Sequence, residues 1–169
     1  FIDQSCALGK VLAQKVTDIL HGSYNNDSGF EKITFADDEY VPLKIASSGQ
    51  QECIRIIQDL IYVWNQDIHA SRIIEESETH LYPTAQKLLV ELMTLVANKV
   101  CGQVILTTHS PFILSAFNNL LFYNKVLAEN PQKAQELAIH FGVDELNGDD
   151  ERLDVNPEEF RAYALKPDC

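Results

Sequence analysis

At 169 residues, with 46% of them apolar, the chain is long enough for one domain with a real core. Its net charge of −12 argues against a broad electrostatic footprint on nucleic acid, so contacts with nucleic acid are expected only through other parts of a larger assembly. No apolar run approaches ~20 residues and no charged-then-apolar leader is present, so no membrane span is expected and the expected location is cytoplasmic.

Gln4 to His21 carries Leu8, Val11, Leu12, Val16, Ile19 and Leu20 at helical spacing, with Gly22 as a stop. Ser23 to Gly29 reads as a loop. Glu31 to Phe35 and Tyr40 to Ile45 alternate apolar and polar residues around Ala36-Asp37-Asp38-Glu39, which predicts a β-hairpin. Glu52 to Trp64 puts Cys53, Ile56, Ile57, Leu60, Ile61 and Trp64 on one helical face. Ile73-Ile74 predicts a short buried strand. A helix should open at Pro83 and run through Leu88, Leu89, Leu92, Leu95 and Val96.

Val104 to Thr107 predicts a second strand, and Ser110-Pro111 a helix with a serine cap and a proline in its first turn. Asn130-Pro131 and Asn156-Pro157 repeat that signature, and the acidic stretch Asn147 to Asp154 reads as solvated. Strands alternating with helices in the middle of the chain predict a parallel α/β sheet. The four cysteines, Cys6, Cys53, Cys101 and Cys169, match no zinc spacing and read as reduced, mostly buried thiols.

Three short segments carry chemistry. Ala46-Ser47-Ser48-Gly49-Gln50-Gln51 is a small-residue turn before an amphipathic helix, where backbone N–H groups and the helix dipole can receive an anion. An ordinary serine N-cap is the bland alternative. Arg72-Ile73-Ile74-Glu75-Glu76 is an apolar strand ending in two carboxylates, which alone would more often be a solvated acidic turn before a helix. Ile105-Leu106-Thr107-Thr108-His109-Ser110 ends a strand in a histidine, which alone would more often be structural. His21, His69, His80 and His140 form no metal-ligand spacing.

In this order the three segments resemble the C-terminal half of an ABC-type ATPase head, in the branch that includes structural-maintenance-of-chromosomes and overcoming-lysogenization-defect ATPases. The resemblance runs from Val41 to about Leu121, and Glu78, His80, Leu81 and Pro83 continue the branch's E-x-H-L-x-P pattern. It departs at Ser77, where the family often has proline, and at Ser71-Arg72, which shortens the apolar run before the acids.

The resemblance implies an incomplete P-loop NTPase-like parallel sheet flanked by helices, within a partial ATPase domain spanning 1–169. A helix and hairpin would occupy 1–45, the motif-bearing core 46–121, and C-terminal helices and a strand 122–169. It implies that Ser47, Ser48, Gly49 and Gln50 form the signature motif, gripping the γ-phosphate of ATP bound to the opposite subunit. Glu75 would support Mg²⁺, through water, and Glu76 would polarise the attacking water. The segment from Ser77 to His80 would be the D-loop, and His109 the switch histidine.

A P-loop, G-x-x-x-x-G-K-[ST], does not occur in these residues; Gly9-Lys10 is followed by Val11 and position 4 is Gln4. The chain is therefore read as a piece of a longer protein, with the P-loop supplied upstream or by another chain, and alone it should not hydrolyse ATP. The partners implied are a second copy joined through Mg-ATP and an effector subunit such as a nuclease, in DNA repair or anti-phage defence. The alternative is an ATP-gated dimerisation or scaffold module without turnover.

Overall fold

The computed structural model describes residues 2–35, 39–144, 146 and 152–164. Helix α1 (Ala7–Leu20) leads into strands β1 (Ser23–Asp27), β2 (Phe30–Thr34) and β3 (Tyr40–Pro42). A short 3-10 turn (Leu43–Ile45) precedes α2 (Ser48–Gln66). Then follow β4 (Ser71–Glu75), α3 (Pro83–Lys99), β5 (Gln103–Thr107), α4 (Pro111–Glu129) and α5 (Pro131–Phe141).

The core is helical. Leu8, Leu12 and Val16 of α1 meet the central helix α3, whose Leu89, Val90, Leu92, Met93, Leu95 and Val96 are all buried. Helix α2 adds Cys53, Ile57, Leu60 and Ile61 from the expected face, together with Ile54, which lay outside it, while Ile56 and Trp64 are only partly buried. Truncating one of these side chains, such as Ile57→Ala, should cost about 2–5 kcal/mol in lost transfer energy and cavity. Because α3 is buried nearly all round, it also buries a charge, Glu91, which Lys15 of α1 meets at 2.6 Å. Lys15 donates as well to the Phe141 carbonyl at the end of α5, tying three helices to one ammonium.

β1, β2 and β3 form an antiparallel sheet in that order. The loop expected at Ser23 to Gly29 is instead mostly β1, with Asp27 opposite Phe30. Its polar composition hid it, because only Tyr24 is buried and the other four residues stay at least partly open. Ser28 and Gly29 both have positive φ (53° and 94°), as a two-residue turn matched to strand twist requires. The expected hairpin from Glu31 to Ile45 pairs as β2 and β3, shortened at its end by the 3-10 turn; Ala36 to Asp38 lie outside the described residues.

β4 and β5 pair in parallel, with Ile73 opposite Ile105 and Glu75 opposite Thr107. The chain is therefore α/β, with a small parallel sheet flanked by helices. The buried strand expected at Ile73-Ile74 is buried on one side only. Ile74 packs against the core, whereas Ile73 is 70% exposed because no described element covers its face.

Later expectations need correction too. Asn156-Pro157 opens a single turn and not a helix, and the described residues after Thr107 form helices and loops with no strand. Residues 147–151 of the acidic stretch lie outside the described residues, but Leu153 and Asp154, read as solvated, are buried. Burial raises the Asp154 pKa, yet hydrogen bonds from Arg152 and Asn124 outweigh it and hold the carboxyl below its usual value. Among the described thiols, only Cys53 is buried, and burial pushes it up to about 12; Cys6 and Cys101 are exposed. No helix among the described residues is long and apolar enough to cross a membrane.

Candidate functional site

The two strand ends make the centre of the site. Parallel pairing brings Glu75 and Thr107 side by side, and the chain then leaves both strands in the same direction. Glu76 turns out of β4 with φ 47°, and its N–H donates to the Thr107 carbonyl at 3.0 Å. That left-handed step separates the two acids. Glu75 stays on the exposed sheet face with Ile73, whereas Glu76 reaches across to His109. Glu76 Oε1 lies 3.5 Å from His109 Nε2, and both side chains are open to solvent.

Glu78 draws the two loops together. Its Oε1 accepts from Thr108 Oγ1 at 2.7 Å, from the His109 N–H at 2.7 Å and from the Ser110 N–H at 3.2 Å. Burial alone would raise its pKa, but these hydrogen bonds outweigh burial and hold the carboxyl below its ordinary value. Ser110 caps α4 by accepting from the Phe112 N–H, and it donates its own hydroxyl proton to Gln86 at 2.6 Å. Gln86, buried on α3, also donates to the Leu81 carbonyl. Glu78 entered the sequence reading only as part of a pattern, and Gln86 did not enter it at all. No local spacing reveals a bond across some thirty residues of chain. Ser77 is buried, and its hydroxyl has no hydrogen-bond partner among the described residues.

The turn at Ser47 is an N-terminal capping box. Ser47 Oγ accepts from the Gln50 N–H at 3.3 Å, and Gln50 Oε1 accepts from the Ser47 N–H at 3.1 Å. The Gln50 amide also donates to the Leu20 carbonyl, so this side chain is engaged within its own chain. Gly49 is required for packing, because a Cβ there would fall 2.4 Å from the His80 carbonyl oxygen. The contact seats the turn against the segment that follows Glu76, and Glu52 meets His80 Nδ1 at 3.2 Å beside it. Ser47 and Ser48 remain exposed.

Of the sequence candidates, Glu76 and His109 thus come together, Glu75 stands one residue from them at the strand end, and the Ser47–Gln50 turn abuts their supporting loop. Among the described residues no group of three or more His, Cys, Asp or Glu side chains could hold a metal ion by itself. A single exposed strand-end carboxylate still suits Mg²⁺, which keeps most of its waters and takes one or two carboxylates beside substrate phosphates.

The family model for the AAA ATPase domain matches residues 3–114, more than half of the chain and every residue of this site. Comparison with curated proteins finds no match. The chain belongs to the AAA ATPase domain family, an ATP-binding ATPase family.

Proposed function

We propose that this chain is the C-terminal portion of an ABC-type ATPase head of the structural-maintenance-of-chromosomes and overcoming-lysogenization-defect branch, hydrolysing Mg-ATP between two copies. The observation that carries the reading is the 3.5 Å approach of Glu76 Oε1 and His109 Nε2 at adjacent parallel strand ends. One water can hydrogen-bond both groups at that separation, and sites without substrate are commonly looser than reacting ones. Glu76 accepts a proton of the attacking water and orients its lone pair toward the γ-phosphorus. His109 donates from Nε2–H to a γ-phosphate oxygen as negative charge shifts there. Glu75 would hold Mg²⁺ through water, and the metal supplies neutralisation of phosphate charge.

The exposed hydroxyls of Ser47 and Ser48 head a 19-residue helix, whose dipole favours an anion at that end. They support a role toward nucleotide bound by the partner copy. The phosphate cradle itself must come from a P-loop segment upstream or on another chain. The half-covered β4–β5 pair, with Ile73 and Ile105 exposed, supports a fold that such a segment completes. Closure on ATP and opening after hydrolysis would drive an attached effector, such as a nuclease, in DNA repair or anti-phage defence.

The test uses two variants of the P-loop-bearing protein. Ser47→Arg should block ATP-driven dimerisation while leaving nucleotide binding intact. Mixed with a P-loop variant, it should give a dimer in which both defects fall in one composite site and the other site is whole. Partial recovery of turnover on mixing is the expected result. A folded Ser47→Arg protein that binds no ATP would place the turn's action within its own chain and end the two-copy reading.

A further inference from the structure

We propose that Glu78 is the positioning residue of this site: its carboxylate holds the loop that carries His109 and thereby sets the imidazole against Glu76. The inference rests on the roles given above to Glu76 and His109. A side chain 88% exposed, as His109 is, gets little orientation from packing. Its position is set by its backbone, and the Thr108 hydroxyl and the His109 and Ser110 N–H groups converge on one oxygen of Glu78.

The return link runs the other way, from the Glu76 N–H to the carbonyl and hydroxyl of Thr107. The two loops are therefore bonded reciprocally, each acid-bearing residue of the first loop meeting backbone of the second. Hydrogen bonds to a carboxylate are roughly twice as strong as those between neutral groups. The charge also sits at the N-terminus of α4, where it is favoured.

A purely structural role, capping α4, is already filled by Ser110. What Glu78 adds is a fixed separation between the two loops. Chemistry at position 78 is restricted for a second reason: Oε2 is buried and has no hydrogen-bond partner among the described residues. A glutamine that keeps its oxygen on the three donors would bury an amide N–H₂ there, so Glu78→Gln should fall between wild type and Glu78→Ala. Aspartate, shorter by one methylene, could not reach all three donors from the same backbone.

Two measurements test this. In the present chain, amide hydrogen exchange followed by NMR should show the His109 and Ser110 amides exchanging about tenfold faster or more in Glu78→Ala, with α3 amides such as Leu92 unchanged. In the P-loop-bearing protein at saturating Mg-ATP, Glu78→Ala should lower kcat about tenfold with KM little changed. In a His109→Ala background the same change should cost less than about twofold, because Glu78 acts through the residue already removed.

Should Glu78→Ala not fold, Glu78→Gln carries both tests with the same pattern at smaller size. An equal fall in kcat with and without His109, or unchanged exchange at His109 and Ser110, would overturn the proposal. Normal turnover in both Glu76→Gln and His109→Ala would instead overturn the reading of the site, while the exchange result would still report on what Glu78 holds.

Discussion

The turn at 46–51 and the strand-end cluster at 75–80 and 107–110 solve the same problem, fixing exposed polar groups, in opposite ways. In the turn nearly every bond is local: Ser47 with Gln50, and Gln51 with the Ala46 carbonyl, with Gln50 to Leu20 the single long reach. In the cluster the decisive bonds cross from one strand end to the other, through Glu76 to Thr107 and Glu78 to Thr108, His109 and Ser110. It also places Glu76 and His80 at positive φ, which the turn avoids altogether. A local device survives if its surroundings shift, whereas a cross-strand device works only when the sheet register is right. The chemistry is proposed where the register matters.

That contrast can be broken at the point where the regions touch. Gly49→Ala puts a methyl against the His80 carbonyl, with no flexible side chain to yield, so it should destabilise the chain by about 2 kcal/mol. It should also disturb amides from Glu76 to Leu81 more than those of α2, as a heteronuclear NMR spectrum would show. Ser47→Ala removes only the cap and should cost about 1 kcal/mol in denaturant unfolding, with the cluster's amides unmoved. Equal disturbance of the cluster by both changes would mean that the two regions are one unit.

Acid sharpens the comparison with a smaller effect. Glu78 has a lowered folded pKa, so its contribution is present above the unfolded carboxylate value, near 4.5, and is lost as pH falls through the folded value. Glu31, outside both regions, behaves likewise over a wider window. Hydrogen bonds from Arg55 and then Tyr24 bring it to about 2, so its contribution fades between about pH 4.5 and 2. Urea unfolding at pH 7 and pH 3 should therefore show a smaller acid loss in Glu78→Gln and in Glu31→Gln than in wild type. An unchanged acid loss in either variant would remove that carboxylate from the account.

Much of this architecture was legible in the residues. The helices from Pro83 and Ser110-Pro111 and most of the α2 face were readable because helical periodicity and caps are local signals. Strand β1 was not, since Asn25, Asn26 and Asp27 carry turn chemistry and only its pairing with β2 makes it a strand. Ile73 looked buried because an apolar residue in a parallel strand usually is; its exposure follows from which elements flank the sheet, and no single segment encodes that. At the site, residue types and order pointed to Glu76 and His109. The clasp through Glu78 and Gln86 needed three-dimensional pairing to be seen.

The central claim is that Glu76 and His109 flank the water that attacks ATP, and the most direct measurement is steady-state phosphate release by Glu76→Gln in the P-loop-bearing protein. An amide keeps the shape of the carboxylate but cannot take up the water's proton, so turnover should fall by about a hundredfold or more. ATP should be retained and the closed dimer should accumulate on gel filtration. Turnover equal to wild type would contradict the account, returning Glu75-Glu76 to a solvated acidic turn and leaving the site with another base.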